Sequence, residues 1–181
     1  MNQIAQQLKE QNIAEYLIYM WQEEDLIRAN HCEPEEMEAN VISRYPEDRR
    51  PDMREWYGNL ITMMCEEGVR ETGHLQINRN VIINLTELHN ALASSPKFPF
   101  YSAAYFKALP FIVELRNKNG KKDEPELETC FEALYGVLLL RLQGKNISEG
   151  TAKAMEAITS FLSMLANYYD KDRKGELKLD E

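Results

Sequence analysis

The segment that most constrains the fold is 99–117, where apolar side chains occur on every side of a helix. Its apolar residues are Phe100, Tyr101, Ala103, Ala104, Tyr105, Phe106, Ala108, Leu109, Phe111, Ile112, Val113 and Leu115. A helix that is apolar all round is typical of a protein core. Pro110 lies inside the segment, lacks an N–H group and crowds the preceding turn, so the sequence predicts a kink there. We therefore expect a central, proline-kinked helix wrapped by other helices.

The rest of the chain is also predicted to be helical. Only 8 Gly and 7 Pro occur in 181 residues, and several of them separate segments with helical periodicity. Asn12 with Glu15 three residues later resembles a capping box, and Ser148 is a second N-cap candidate. The sequence predicts an all-α fold, a single-domain bundle of about six to seven helices over residues 1–169. A charged, disordered tail is expected over residues 170–181.

Charge and cysteine content exclude several classes of partner. The formal net charge is −9, which opposes binding to the phosphate backbone of nucleic acid. Cys32, Cys65 and Cys130 form no CxxC pair, and isolated cysteines suit a reducing compartment. The N-terminus lacks the pattern of a signal peptide, and apolar runs are too short to span a bilayer. We expect a cytoplasmic protein without nucleic-acid or membrane partners.

Four stretches carry a resemblance to a known family. They are NIAEYLIYMWQEEDLIRA (12–29), GHLQINRNVIINLTELHN (73–90), PKFPFYSAAYFKALPFIVELR (96–116) and ETCFEALYGVLLLRLQ (128–143). In these stretches the chain resembles an uncharacterised bacterial family of helical proteins, a domain of unknown function. The family has no assigned activity, so the resemblance implies a bacterial, non-secreted helical protein and no catalytic residues.

Charged side chains on apolar helix faces are the strongest hint of a site, because an isolated buried charge is costly. Glu24 falls within an apolar face of its predicted helix, and Arg28 lies four residues on, where the two can pair. Other polar residues share apolar faces of the later helices. The resulting candidate ligand-binding residues are Glu24, Arg28, His89, Arg116, Arg141 and Tyr105.

Two interpretations of these residues remain open. In the first, they form a structural network in which Glu24 bridges to Arg28 and Arg116, with His89 nearby. In the second, Arg28, Arg116 and Arg141 converge on a pocket for a small anionic molecule, with Tyr105 as part of its apolar wall. Arginine suits the second role because its planar fork binds carboxylate or phosphate with two hydrogen bonds.

No motif predicts catalysis, a metal or a cofactor. Glu71-x-x-His74 has the spacing of helical di-iron ligands, but only one such motif occurs and Gly73 interrupts it. There is no GxSxG, Walker loop or GxGxxG. We therefore expect no catalytic residues, no metal site and no cofactor, which leans against an enzyme.

Two functions from different classes follow. The first is an interaction or scaffold protein that acts as a homo-oligomer, with the aromatic-rich stretch 98–106 as a candidate contact surface. The second is a binder or enzyme for a small anionic ligand in a pocket lined by arginine and histidine. An unknown protein partner also fits the first function.

Overall fold

The structure, a computed structural model, describes residues 2–178. These residues form eight α-helices and one short 3-10 helix, with no strand among them. The helices are α1 (Gln3–Gln11), α2 (Ile13–Ala29), α3 (Pro34–Asn40), α4 (Arg50–Glu66), α5 (Gln76–Ser94), α6 (Pro99–Asn119), α7 (Glu126–Leu142) and α8 (Glu149–Arg173), and the 3-10 helix is Ile42–Arg44. The all-α prediction is confirmed. The described residues form one α-helix more than the predicted six to seven, because Gln3–Gln11 before Asn12 is a helix of its own, α1.

Local capping explains several helix boundaries. The Asn12 side chain accepts hydrogen bonds from the backbone N–H groups of Ala14 and Glu15, and its amide donates to the Glu15 carboxylate. These contacts satisfy donors that a helix N-terminus leaves unpaired. Ser148 caps α8 in the same way by accepting from Thr151 N–H. Both caps predicted from the sequence are confirmed.

The contacts group the chain into two compact units, Met1–Val81 and Ile82–Glu181, and the division between them falls within the sequence of α5. In the first unit α1 packs on α2, and α4 packs on α2 and α3. In the second unit α6, α7 and α8 pack on one another. Each unit has its own fully buried aromatic side chains, Trp21 and Tyr57 in the first and Tyr101, Phe131 and Phe161 in the second. Among residues 2–178, no helix combines the length and hydropathy needed to cross a bilayer.

The predicted burial of α6 on every side is wrong. Its inner face is buried at Tyr101, Ala108 and Ile112, but Phe100 is 80% exposed and Phe106 is 63% exposed. The physical reason is that α6 packs on α7 and α8 from one side, which leaves its opposite face uncovered. The helix continues through Pro110 as one element, and the kink stays a prediction.

The start of the predicted tail is helical. Helix α8 runs to Arg173, so it includes the first four residues of the segment 170–181. Asp170 accepts from Lys174 Nζ at 2.6 Å, one turn later, and Lys171 and Arg173 lie where the helix dipole favours positive charge. Residues 179–181 of the predicted tail lie outside the described residues.

Candidate functional site

Glu24 is a fully buried carboxylate that fastens the start of α5 to α2. It accepts three hydrogen bonds, from Leu75 N–H at 3.0 Å, from the Asn78 amide at 2.6 Å and from His74 Nδ1 at 2.6 Å. The donors all belong to one short segment at the N-terminus of α5. Leu75 N–H is among the helix-terminal donors that have no partner within the helix. Glu24 therefore acts as a cap supplied by another helix.

Arg28 holds the loop that precedes this segment. Its guanidinium donates to Asp25 at 2.8 Å, to the Val69 carbonyl at 3.2 Å and to the Gly73 carbonyl. Arg28 Nη2 also lies 3.9 Å from a Glu24 oxygen, so the predicted pairing of these two residues is confirmed. The fork of Arg28 is therefore occupied by carboxylate and carbonyl oxygens of its own unit.

His74 lies between this network and the surface. Its ring stacks on Trp21 with centroids 4.0 Å apart and planes 10° apart, and 26% of the side chain is exposed. A carboxylate on Nδ1 fixes the orientation of an imidazole, which is how proteins position histidines for proton transfer or metal binding. In this protein the contact between His74 and Glu24 orders the loop that precedes α5.

A second buried carboxylate, Glu23, lies beside Glu24 on α2. It accepts a hydrogen bond from the Tyr57 hydroxyl at 2.8 Å inside the first unit. Burial raises the pKa of Glu23, while the hydrogen bonds from Tyr19 and Tyr57 oppose the rise. Burial and the nearby Glu23 charge also raise the pKa of Tyr57 far above its usual range. This pair links α2 to α4 through a hydrogen bond.

His89 finds its partners in the second unit. Its Nδ1 lies 2.6 Å from the hydroxyl of fully buried Tyr101, and its ring meets Tyr105 and Phe161 edge-on, with centroids 4.7 Å and 5.4 Å away. Burial lowers the pKa of His89, and the Glu126 charge only partly opposes this. The imidazole is therefore neutral near pH 7 and forms part of an aromatic core.

Glu126, the first residue of α7, joins two of the predicted site residues. It accepts a hydrogen bond from the Tyr105 hydroxyl at 2.8 Å, and its other oxygen lies 3.8 Å from Arg116 Nη1. Burial and the Glu126 carboxylate raise the pKa of Tyr105 to about 12. Arg116 thus has a carboxylate partner within its own unit, which differs from the predicted bridge between Arg116 and Glu24.

Arg141 does not join these residues. It is exposed in the last turn of α7, and Glu126 lies at the opposite end of that helix. Fifteen residues of α-helix separate them by about 22 Å. The placement of Arg141 on a buried face is therefore wrong, because the end of α7 extends into solvent. The structure brings together Glu24 with Arg28, and separately His89, Tyr105 and Arg116.

One acidic cluster has the residue types of a metal site. Carboxylate oxygens of Glu124, Glu128 and Glu132 lie within 4.8 Å of one another. However, Lys121 Nζ lies 2.8 Å from Glu124 and 2.7 Å from Glu132. The lysine occupies the position of the cation between these two carboxylates, so the cluster is an ion-pair network.

The exposed face of α6 carries a row of apolar residues that we call the α6 stripe. It consists of Phe100, Ala103, Phe106, Pro110 and Val113, all exposed. The spacings of three and four residues place them along one surface of the helix. Contiguous exposed apolar surface of this kind marks interaction sites in soluble proteins.

A cavity of about 630 Å³ lies beside the stripe, between α6, α7 and the start of α8. Apolar side chains form most of its wall: Phe111, Leu115, Val137, Leu140 and Met155. Glu114 and Lys118 contribute polar groups from α6, and they pair with each other at 2.6 Å. The volume falls within the usual range of ligand pockets. We call this space the α6–α8 cavity.

Several of these residues could not be identified from the sequence. The sequence pattern pairs His74 only with Glu71, because Glu24, its partner in the structure, lies fifty residues away in the chain. Asn78 and Glu126 sit in the first turns of their helices, where polar residues are common and carry no signal of burial. The residues of the α6 stripe are apolar in the sequence, but the sequence does not show that they are exposed.

The fold and these surfaces define an all-helical protein in which Glu24, Arg28 and Arg116 are paired within their own units and α6 carries exposed apolar residues. The chain belongs to the family described as a domain of unknown function (DUF4924), whose family model matches residues 2–176. This confirms the resemblance to a family without an assigned activity. No curated protein and no solved structure matches the chain.

Proposed function

We propose that this chain is an interaction protein that assembles with copies of itself, and that the α6 stripe is its contact surface. The supporting observation is the exposure of two phenylalanines, Phe100 and Phe106, in one row on one helix. Burying such side chains against a partner is favourable in proportion to the apolar area removed from water. Aromatic residues are also the side chains most enriched at interface centres.

The alternative function, a pocket for a small anion, has less support. Such a pocket needs unpaired cations, whereas Arg28 and Arg116 are engaged with carboxylates of their own units. Arg141 lies at the far end of α7 from Glu126. The carboxylates paired with Arg28 and Arg116 already occupy the guanidinium groups that an anionic ligand would need. The paired charges therefore favour self-assembly over anion binding.

The cysteine content and the net charge support a location and a class of partner for the assembly. Cys32, Cys65 and Cys130 are free thiols, which fits a cytoplasmic location. The net charge of −9 opposes a nucleic-acid partner. We accordingly place the assembly in the cytoplasm, between proteins only.

Sedimentation velocity of the wild type and of Phe106→Ser tests the proposal. We expect the wild type to sediment as an oligomer and the variant to dissociate at the same concentration. Leu142→Ser is the matched control, because Leu142 is 68% exposed but lies on α7, away from the stripe. An oligomer that survives Phe106→Ser, or dissociates equally with Leu142→Ser, would contradict the role of the stripe.

A further inference from the structure

A second concave site lies in the first unit, between α1 and the start of α4, and we call it the α1–α4 pocket. Its volume is about 440 Å³, within the usual range of ligand pockets. Its lining includes the nearly buried side chains of Met53 and Trp56 and the half-buried ring of Tyr45. None of these residues belongs to the α6 stripe, so the pocket points to a function other than self-assembly.

One face of α4 supplies this pocket with charged and apolar groups side by side. Arg49 precedes the helix in an α-helical conformation, and Asp52, Met53 and Trp56 follow it by three, four and seven residues. These spacings place all four residues on the same side of the helix. Asp52 lies about 4.5 Å beyond Arg49 along the helix axis, and Trp56 lies about one further turn on. A ligand on this face would meet a positive group, a negative group and an indole ring in succession.

The charged groups of the pocket are not paired with one another. The Arg49 guanidinium donates to the uncharged side-chain oxygen of Gln3 on α1 at 2.7 Å. Within residues 2–178, no ion pair joins Arg49 to Asp52, although opposite charges three residues apart on a helix can pair. Glu55, which also lines the pocket, has no ion pair in the same part of the chain. Charges of both signs are therefore available to a ligand.

Two other lining residues, Asn2 and Tyr45, are held in place through the buried carboxylate of Glu23. The Asn2 amide donates to the Tyr19 hydroxyl at 2.8 Å, and Tyr19 hydrogen-bonds to Glu23. Tyr45 hydrogen-bonds to Tyr57, whose hydroxyl donates to Glu23 at 2.8 Å. A wall that is fixed in advance lowers the entropy cost of binding. These hydrogen bonds therefore favour a pocket that is formed before a ligand binds.

The charges of the pocket select the class of ligand. A simple anion would be attracted by Arg49 but repelled by Asp52 and Glu55, and a simple cation would be repelled by Arg49. A zwitterion satisfies both signs. In an α-amino acid the carboxylate and the ammonium group are attached to the same carbon, which suits two oppositely charged partners about one helical turn apart. The apolar surface of Met53 and Trp56 suits an apolar side chain on that carbon.

We propose that the α1–α4 pocket binds a free α-amino acid with an apolar side chain. The planar guanidinium of Arg49 binds the carboxylate of the ligand, and Asp52 accepts hydrogen bonds from its ammonium group. The side chain of the ligand packs against Trp56. Every group that takes part belongs to the first unit, so the proposal does not depend on self-assembly through the α6 stripe.

Isothermal titration calorimetry with a matched set of small molecules tests the ligand class. The probes are L-leucine and L-phenylalanine at millimolar concentration near neutral pH, and we expect at least one of them to bind and to raise the melting temperature. The methyl ester lacks the negative charge, the N-acetyl derivative lacks the positive charge, and glycine lacks the apolar side chain. Each of these three analogues should bind about tenfold more weakly than the matching amino acid.

Two substitutions at exposed positions test which residue binds which charge. Arg49→Gln should weaken binding of the amino acid about tenfold and leave the weaker binding of its methyl ester unchanged. Asp52→Asn should weaken binding of the amino acid by a similar factor and leave binding of the N-acetyl derivative unchanged. The matched controls are Arg44→Gln and Asp48→Asn, which remove the same charges from exposed positions outside the pocket lining. We expect both controls to bind like the wild type.

The outcomes decide the proposal in either direction. The crossed pattern of the two variants and the two derivatives would support it. Absence of binding by both amino acids, in calorimetry and in melting temperature, overturns it. Equal binding of the methyl ester or the N-acetyl derivative to the wild type also overturns it, because a zwitterion is then not required. The same holds if the control variants weaken binding as much as Arg49→Gln and Asp52→Asn do. A monomeric wild type that binds L-leucine would overturn self-assembly alone.

Discussion

The Oε2 atom of Glu24 lies 2.6 Å from Nδ1 of His74, although fifty residues separate them in the chain. Glu24 is completely buried, and the rest of its carboxylate is satisfied by the N-terminus of α5 and by Arg28. This contact defines the first unit, because it fixes the loop after α4 and the start of α5 against α2. The buried charges of this unit thus stabilise its fold.

Glu24→Ala should destabilise the protein strongly, because it leaves His74, Asn78 and Leu75 N–H without their acceptor. We expect a loss of about 3–5 kcal/mol in the free energy of unfolding, measured by urea denaturation. Glu55→Ala, an exposed position on α4, is the control and should change little. A double-mutant cycle with His74→Ala should show coupling of about 1 kcal/mol or more. Additive effects of the two substitutions would contradict the contact.

His31→Gly should raise the melting temperature by roughly 3 °C. His31 lies in the turn after α2 with φ = 55°, a left-handed conformation that a side chain disfavours and glycine adopts freely. The imidazole is 76% exposed and pairs with Glu36, an exposed contact of small energy, so little is lost with it. Glu36→Ala removes the ion pair and keeps His31, so its melting temperature measures the contribution of the ion pair alone. A lower melting temperature for His31→Gly would show that the turn is not strained.

Stability should fall more steeply below pH 6.5 in the wild type than in His89→Gln. Burial lowers the pKa of His89 in the folded protein. The unfolded chain therefore binds a proton at His89 more readily than the folded protein does. Above the pKa of about 6.5 that His89 has in the unfolded chain, this effect costs no stability. As the pH falls below that value toward the pKa of His89 in the folded protein, the loss of stability grows. Urea denaturation at pH 8.0 and pH 5.5 measures the difference. An equal fall in the free energy of unfolding between the two pH values for both proteins would mean that His89 is not buried as a neutral ring.

The sequence predicts the starts of α2 and α8 correctly because the signals that set them are local. Asn12 and Ser148 cap the helices that follow them, as expected from their side chains alone. The exposure of Phe100 and Phe106 was not predictable in this way. An apolar helix face looks the same in sequence whether it lies in a core or in an interface with a second chain. The pattern showed that α6 is apolar all round, and only the packing of α7 and α8 shows which face is uncovered.

The candidate site was only partly predictable for a related reason. Glu24 and Arg28 were found because they interrupt one apolar face, and the pair four residues apart is geometrically fixed. Partners across the fold, such as His74 for Glu24 and Glu126 for Tyr105, depend on how loops and helices meet. Arg141 was misplaced because an apolar pattern does not show where a helix leaves the neighbouring surface.

The most direct test of self-assembly through α6 is the molar mass of the wild-type chain in solution. Sedimentation equilibrium over a concentration series should approach twice the chain mass of 21.1 kDa as concentration rises. The same series with Phe106→Ser should stay at the mass of one chain. A wild type that remains at 21.1 kDa up to the highest concentration would contradict the account.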